Sequence, residues 1–345
     1  MDRVLIHEEV LDALSEGRPV VVLETAVLTH GLPRRSLDHM PGCFAAGRPL
    51  HELGRLGWDS SAPVNLATSR AMSRAVRMED AIPATIAVID GMLHVGLCPE
   101  RLEELSRVKA DKCSTRDLAA TLQSGRSGGT TVAGTLSACA VANRILRTRG
   151  LSELKLFATG GIGGVHRDWA DHPDISADIR AISQTPMMVV TAGAKIILDL
   201  PATREALDTG MIPVIGWQCD NFPRFTSKGA PDQPLERRID DHTHLSELCR
   251  IHWEELERAE GILLLNEIPS KDALDGAMVE QIVTRACEMA RDRGINGQSL
   301  TPFLLTALAE ETSGESLDAN IALLLGNARL AAEAASALAG ATSSG

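Results

Sequence analysis

Five short apolar runs leave this chain few folds to choose from: P-V-V-V-L (19–23), P-A-T-I-A-V-I (83–89), M-M-V-V-T (187–191), I-P-V-I-G-W (212–217) and G-I-L-L-L-N (261–266). Each is too short for a buried helix, and together they are rich in β-branched residues, as strands covered on both faces are. Between and after them come stretches with helical periodicity. These cover 4–15, a helix from Asn65, 102–107, a helix carrying Arg116 and Asp117, a small-residue helix opening at Gly128, and 276–294, 302–312 and 320–339 at the end. A second short strand is expected at His94. Strands alternating with helices predict an α/β layered fold with a largely parallel sheet.

No stretch reads as a linker, so 345 residues form one large domain or two tightly fused lobes. Aromatics are 3% of the chain and Tyr is absent, so the core must be built from Ala, Val, Ile and Leu. A net charge of -12 argues against a nucleic-acid backbone or an anionic membrane as partner. The N-terminus lacks the basic start and apolar run of a signal peptide, and no apolar stretch of ~18 to 20 residues is evident, so a cytoplasmic protein is expected. Its seven cysteines are scattered without a C-x-x-C pair, which suits reduced thiols. Gly340–Gly345 is expected to fray.

Functional residues gather after three strand ends. Glu24 follows the first run, and a carboxylate there is either an ion-pair partner or a chemical group, because open α/β sheets place ligands beyond the carboxyl ends of their strands. The stretch from Leu156 to Asp178 places four glycines within 160–164, followed by His166, Arg167, Asp171, His172, Asp174, Ser176 and Asp178. Glycines free to adopt positive φ can turn backbone N–H groups toward a ligand, and the following residues suit phosphate and a hard cation. Neither G-x-G-x-x-G nor the P-loop pattern is present, and a glycine cluster alone is usually a plain turn. Lys195, set among Gly193, Ala194, Ile196 and Ile197, is either a desolvated nucleophile or a partner of Asp199. The bare N-terminus of the Gly128 helix could offer N–H groups to an anion. His242 and His244 read as a helix start with solvated side chains rather than a metal pair. An amine that forms a Schiff base, a carboxylate that moves protons and a glycine loop amount to a sugar-phosphate site.

The motifs V-V-V-L-E-T-x-x-L-T-H-G-L-P, K-x-S-x-R-D-L, G-x-T-T-V, F-A-T-G-G-I-G-G-V-H-R, D-I-S-A-D, T-A-G-A-K-x-I-L-D-L and S-L-x-x-N-I-A-L resemble the pseudouridine-5'-phosphate glycosidase, or indigoidine synthase A, family. The resemblance covers nearly the whole chain apart from about 35–62. It implies a single domain over 1–345 with a three-layer α/β/α fold around a largely parallel, mixed sheet. It further implies a Mn2+-dependent homotrimer that reversibly splits the C–C glycosidic bond of pseudouridine 5'-phosphate into uracil and ribose 5-phosphate. By motif, Lys195 is similar to the Schiff-base nucleophile, Glu24 to the acid that protonates the departing base, and Asp174 to the metal ligand. Lys112, Val132, Thr159, His166, Ser176, Asp178 and Asn320 match positions that hold the substrate.

Four departures stand out. Thr25 replaces a usual Ser, Trp217 a usual Tyr, and N-E-I-P at 266–269 a usual N-P-I-P. About 28 extra residues, with neither helical nor alternating periodicity, intervene between G-L-P and the helix at Asn65, shortly after Glu24. They read as a surface loop or as an error in the gene model. Two other functions remain in view at this stage: a pigment-forming reaction on the same scaffold, and a catalytically impaired or regulatory homologue.

Overall fold

The computed structural model describes residues 3–36, 56–167, 169–170, 173–295 and 300–342. In chain order the first half carries β1 (Val4–Ile6), α1 (Glu8–Ser15), β2 (Val20–Leu23), α2 (Val64–Arg77), β3 (Ile82–Ile89), β4 (Met92–Val95), α3 (Pro99–Arg107), β5 (Asp111–Cys113), α4 (Thr115–Gln123), β6 (Gly128–Thr130) and α5 (Val132–Thr148). The centre adds β7 (Leu156–Ala158), β8 (Val165–His166), α6 (Ala177–Ile182), β9 (Met188–Thr191), β10 (Leu198–Asp199) and α7 (Leu200–Thr209). The last part holds β11 (Val214–Trp217), β12 (Arg238–Ile239), α8 (His242–Arg250), β13 (Ile262–Asn266), α9 (Gly276–Asp292), α10 (Leu300–Glu311) and α11 (Glu315–Thr342).

The main sheet runs β1-β4-β3-β2-β7-β9-β13-β11-β12. From β3 to β12 every pairing along this path is parallel, whereas β4 and β6 pair antiparallel with β3, so the sheet is mixed. Strands β2, β3, β7 and β9 are buried at every position. That pattern requires helices on both faces, the three-layer α/β/α arrangement. One apolar cluster extends from Val10 to Ala335.

Several expectations are corrected. Val4–Ile6 is not the start of a helix but an edge strand paired to β4, and α1 begins only at Glu8, with the His7 side chain accepting from Glu9 N–H. Gly128–Thr130 is a strand, so the small-residue helix begins four residues later at Val132 with Thr131 as its cap. α11 continues to Thr342, so Gly340, Ala341 and Thr342 belong to a helix and not to a frayed tail; Ser343–Gly345 lie outside the described residues. Its stretch Glu315–Gly340 is long and apolar enough to cross a membrane by length and composition, contrary to the expectation. It packs instead across β2, β7 and β9 and against α2, carries Glu315, Asp318, Arg329 and Glu333, and behaves as a core helix.

Most of the unusual segment, residues 37–55, lies outside the described residues. Its two ends are tied together at the point where it leaves the fold. Val64 N–H donates to Arg35 O at 3.0 Å and Asn65 N–H to Pro33 O at 3.0 Å. The returning end belongs to the fold: Trp58 packs on the core, and Arg74 donates to Leu56 O at 3.1 Å.

Candidate active site

Register places the chemistry. β2, β7, β9 and β13 are consecutive neighbours, with Leu23 opposite Ala158, Ala158 opposite Val190 and Thr191 opposite Leu265. The next residues along these strands are therefore brought side by side at one sheet edge: Glu24 after β2, Thr159 after β7, the loop to Lys195 after β9, and Asn266 ending β13. The Thr159 hydroxyl donates to Glu24 Oε1. Burial pushes the Glu24 carboxyl above its ordinary value; the Lys195 charge, the Thr159 hydrogen bond and Lys112 oppose this, and Asp178 adds to it. Desolvation wins, so Glu24 holds a proton to higher pH than a free glutamate and is suited to act as an acid.

The glycine loop works differently from the expectation. Gly160, Gly161, Gly163 and Gly164 do not take up positive φ. They are needed because neighbours come too close for a side chain. A Cβ would lie 2.7 Å from the Phe225 ring at Gly161, 2.3 Å from Ser176 Oγ at Gly163 and 2.3 Å from Thr203 Oγ1 at Gly164. Most loop N–H groups are also occupied by protein. Thr159 N–H donates to Val190 O, Ile162 N–H to Gly193 O, Gly163 N–H to Asp178 and Val165 N–H to the Thr203 hydroxyl. The loop is thus a braced wall rather than an open phosphate cradle. Positive φ occurs instead at Gly193, at +84°, where a Cβ would meet Pro223 O at 2.1 Å. This turn aims the segment carrying Lys195.

Asp178 joins the loop to α5. It is 6% exposed, and its two oxygens accept from Gly163 N–H at 2.8 Å and Ala133 N–H at 2.9 Å. With the Thr131 side chain accepting from Gly134 N–H at 3.3 Å, the helix end expected to receive a foreign anion is largely filled by the protein's own groups. Among the described residues none takes the N–H of Val132, which leaves the backbone as this residue's contribution. Ser176 caps α6 by accepting from Asp178 N–H at 3.2 Å. Asp199 caps α7, accepting from Ala202 N–H at 3.0 Å, so it does not serve as the Lys195 partner considered from sequence.

Lys195 and Lys112 are near enough for the Lys195 charge to depress Lys112, after burial; Asp178 and Glu24 oppose the shift. His166 is lowered chiefly by burial and further by Lys195 and Lys112, against Asp174, whose Oδ2 lies 3.9 Å from its Nε2. These shifts favour its neutral form. Asn320 is half-buried on α11, on the same helical face as Leu323 and Leu324, which cover Gly160, and Asn327. The structure thus gathers Glu24, Lys112, Thr159, His166, Asp174, Asp178 and Lys195 into one interacting cluster. Sequence reasoning missed Thr203 and Asn327, both of which brace the loop.

Among the described residues no three His, Cys, Asp or Glu side chains form a metal cage. Asp168, Asp171 and His172 lie outside them. The Asp174 side chain is 46% exposed, and one accessible carboxylate with room for water suits a hydrated hard divalent cation rather than a structural metal.

The profile of indigoidine synthase A-like proteins matches residues 59–337. This chain belongs to the indigoidine synthase A family. Its relatives include proteins named pseudouridine-5'-phosphate glycosidase from Sorangium cellulosum, 40% identical over 98% of this chain and 94% of that one, and from Paracoccus denitrificans, 40% identical over 97% and 98%. Among solved structures, the prealnumycin C-glycosynthase AlnA in complex with ribulose 5-phosphate is 33% identical with a TM-score of 0.80 over the full length of both chains. An indigoidine synthase A-like protein from Thermotoga maritima is 28% identical with a TM-score of 0.77 over 97% and 96%.

The departures from the family pattern are accommodated structurally. Thr25 keeps the hydroxyl in use, donating to Ile86 O at 2.6 Å and accepting from Thr130 N–H at 3.0 Å. Trp217 stacks on His242 with centroids 4.6 Å apart. Glu267 accepts from Gly229 N–H at 2.9 Å and pairs with Lys228 at 3.2 Å. His242 and His244 open α8 behind the Asp241 cap, as expected, and His244 is exposed; His242, however, is half-buried against Trp217, 3.6 Å from Glu333, and is not a solvated side chain.

Proposed function

We propose that this enzyme cleaves the C–C glycosidic bond of pseudouridine 5'-phosphate, reversibly, to uracil and ribose 5-phosphate through a Schiff base on Lys195. The observation that carries the reading is the convergence of Lys195 with a proton-holding Glu24 at one sheet edge, beyond the two strands that flank β7, in a family whose relatives bear that name. A C-glycoside has no leaving-group oxygen to protonate, so the two-carboxylate route of ordinary glycosidases offers no exit for the base.

The lysine route does. Lys195 Nζ adds to C1' as the bond from C1' to the ring oxygen breaks and that oxygen takes a proton. Glu24 then protonates uracil C5, the C1'–C5 bond breaks, and the nitrogen lone pair forms the C1'=N bond. Water hydrolyses this iminium, restoring the amine and releasing ribose 5-phosphate. The Thr159 hydroxyl orients the Glu24 carboxyl for its step. Lys112 supplies positive charge toward the phosphate, with His166, Ser176, Asp178, Asn320 and the Val132 backbone shaping the ribose-phosphate side. Asp174 would hold Mn2+ through water, where the ion would screen phosphate charge. A homotrimer, carried over from the family, is read by sedimentation equilibrium.

The C-glycosynthase neighbour favours a second reading on the same bond, in which the enzyme works in the bond-forming direction. Incubating the protein with pseudouridine 5'-phosphate and Mn2+, and separately with uracil and ribose 5-phosphate, tests both. Uracil release or consumption that disappears in Lys195→Ala supports the proposal; wild type inert in both directions refutes it.

A further inference from the structure

A polar residue in the middle of the apolar core helix calls for a reason. Asn327 lies on α11 between Leu324 and Leu330 and is 0% exposed. Burying a carboxamide without partners costs several kcal/mol, so its contacts must compensate. Its Nδ2 donates to Thr159 O at 2.7 Å and to Gly160 O at 3.3 Å, and its Oδ1 accepts from Asn266 Nδ2 at 3.0 Å. The amide can sit only this way round. Two carbonyls can only accept, so the NH2 group must face them, and Asn266 must then present its own NH2 to the remaining oxygen.

The contacts span three strands. Thr159 and Gly160 follow β7, Asn266 ends β13, and β9, which leads to Lys195, lies between them. Asn327 therefore reaches across the end of the lysine strand and ties the strands on either side. Gly160 O also accepts from Ala192 N–H at 3.0 Å and the Thr191 hydroxyl at 3.3 Å, so these carbonyls are a junction of the site. The missing Cβ at Gly160 lets α11 approach: a methyl there would lie 3.1 Å from Leu324 and 3.3 Å from Leu323. The side chain of the preceding residue, Thr159, holds Glu24 through its hydroxyl.

We propose that Asn327, which touches none of the reacting groups, is a positioning residue: its carboxamide clamps the Thr159–Gly160 carbonyls so that the Thr159 hydroxyl stays on the Glu24 carboxyl. The clamp itself rests on geometry; its consequence for turnover rests on the proposed function. The charged groups facing Glu24 are Lys195, Lys112 and Asp178, and the Thr159 hydrogen bond acts with the two lysines to lower it. Loosening the clamp weakens that hydrogen bond while the lysines and Asp178 stay, so Glu24 keeps its proton to still higher pH.

The test follows the Glu24 carboxyl carbon by 13C NMR in glutamate-labelled, ligand-free protein, with the signal assigned by its loss in Glu24→Gln. Asn327→Leu, of similar shape, and Thr159→Val should each move the Glu24 titration upward, and the double variant should move it no further than Thr159→Val alone. In turnover, the alkaline limb of uracil release should shift the same way, and kcat should fall about ten-fold with KM little changed. If Asn327→Leu does not fold, Asn266→Ala, which frees the carboxamide on its outer side, should give a smaller shift of the same sign. A Glu24 titration unmoved by the Asn327 or Asn266 variant, or shifts that add in the double variant, would overturn the proposal. A shifted NMR titration in a protein that releases no uracil would support the clamp and refute the reaction.

Discussion

Removing the Asp178 carboxylate should loosen the wall that joins the glycine loop to α5. The group is 6% exposed and satisfies two buried N–H donors, of Gly163 at 2.8 Å and Ala133 at 2.9 Å. Asp178→Ala leaves both without a partner, at about 1–3 kcal/mol each, and removes a negative charge from a helix N-terminus worth about 0.3–1 kcal/mol. The expected loss is about 2–7 kcal/mol out of a total stability on the order of 5–15 kcal/mol. Asp178→Asn keeps one acceptor and should lose about half of that. Urea denaturation of the three proteins measures both values. A second reading comes from Glu24, which the Asp178 charge raises. In Asp178→Asn the Glu24 titration, and with it the alkaline limb of turnover, should move to lower pH. A loss below about 1 kcal/mol in the alanine variant, or a limb that moves upward in the asparagine variant, would refute this description of the wall.

Glu24→Gln should lower uracil release by about 100-fold or more, because it removes the acid. Its folded-state carboxyl is raised, so the stability it contributes is present at pH below the unfolded value of about 4.3 and is lost as pH rises through the folded one. The glutamine variant should therefore unfold at higher urea than wild type at pH 8 and show no such gain at pH 4. Gly163→Ala puts a methyl 2.3 Å from Ser176 Oγ and 3.0 Å from Asp178 Oδ2, so it should cost about 1–3 kcal/mol in urea denaturation and weaken ribose 5-phosphate binding by calorimetry. Replacing residues 37–55 by a short Gly/Ser link should leave the melting temperature within a few degrees, because the Arg35–Val64 and Pro33–Asn65 hydrogen bonds already close the gap. If the proposed Mn2+ is held through the one exposed carboxylate of Asp174, EDTA should abolish turnover and leave the urea midpoint unchanged.

Sequence reasoning reached furthest where one local rule decided the outcome. The apolar runs gave the buried strands, and their parallel order put Glu24, Thr159 and Lys195 at one edge. Ser114 and Asp117 form a capping box at the start of α4, and Asp241 caps α8 by accepting from His244 N–H. It failed where tertiary approach decides. The four loop glycines look like turn-makers in sequence, yet Gly161, Gly163 and Gly164 are required by side chains from 225, 176 and 203, which no local pattern ties to them. Gly128 and Gly129 looked like a helix start but pair with Asp111 and Lys112 in β5, a three-residue strand with two charged residues that carries no strand signal. The bare helix end was legible; that Asp178 fills it was not. Asn327 did leave a trace, an asparagine in an apolar stretch of helix, but its partners lie 168 and 61 positions away.

Borohydride reduction of the enzyme in the presence of ribose 5-phosphate, followed by peptide mass spectrometry, reads the Lys195 chemistry without depending on turnover. A reduced sugar-phosphate adduct confined to the peptide bearing Lys195, and absent from Lys195→Ala, is the expected result. No adduct, or an adduct carried equally by Lys112, would contradict the assignment of Lys195 as the nucleophile.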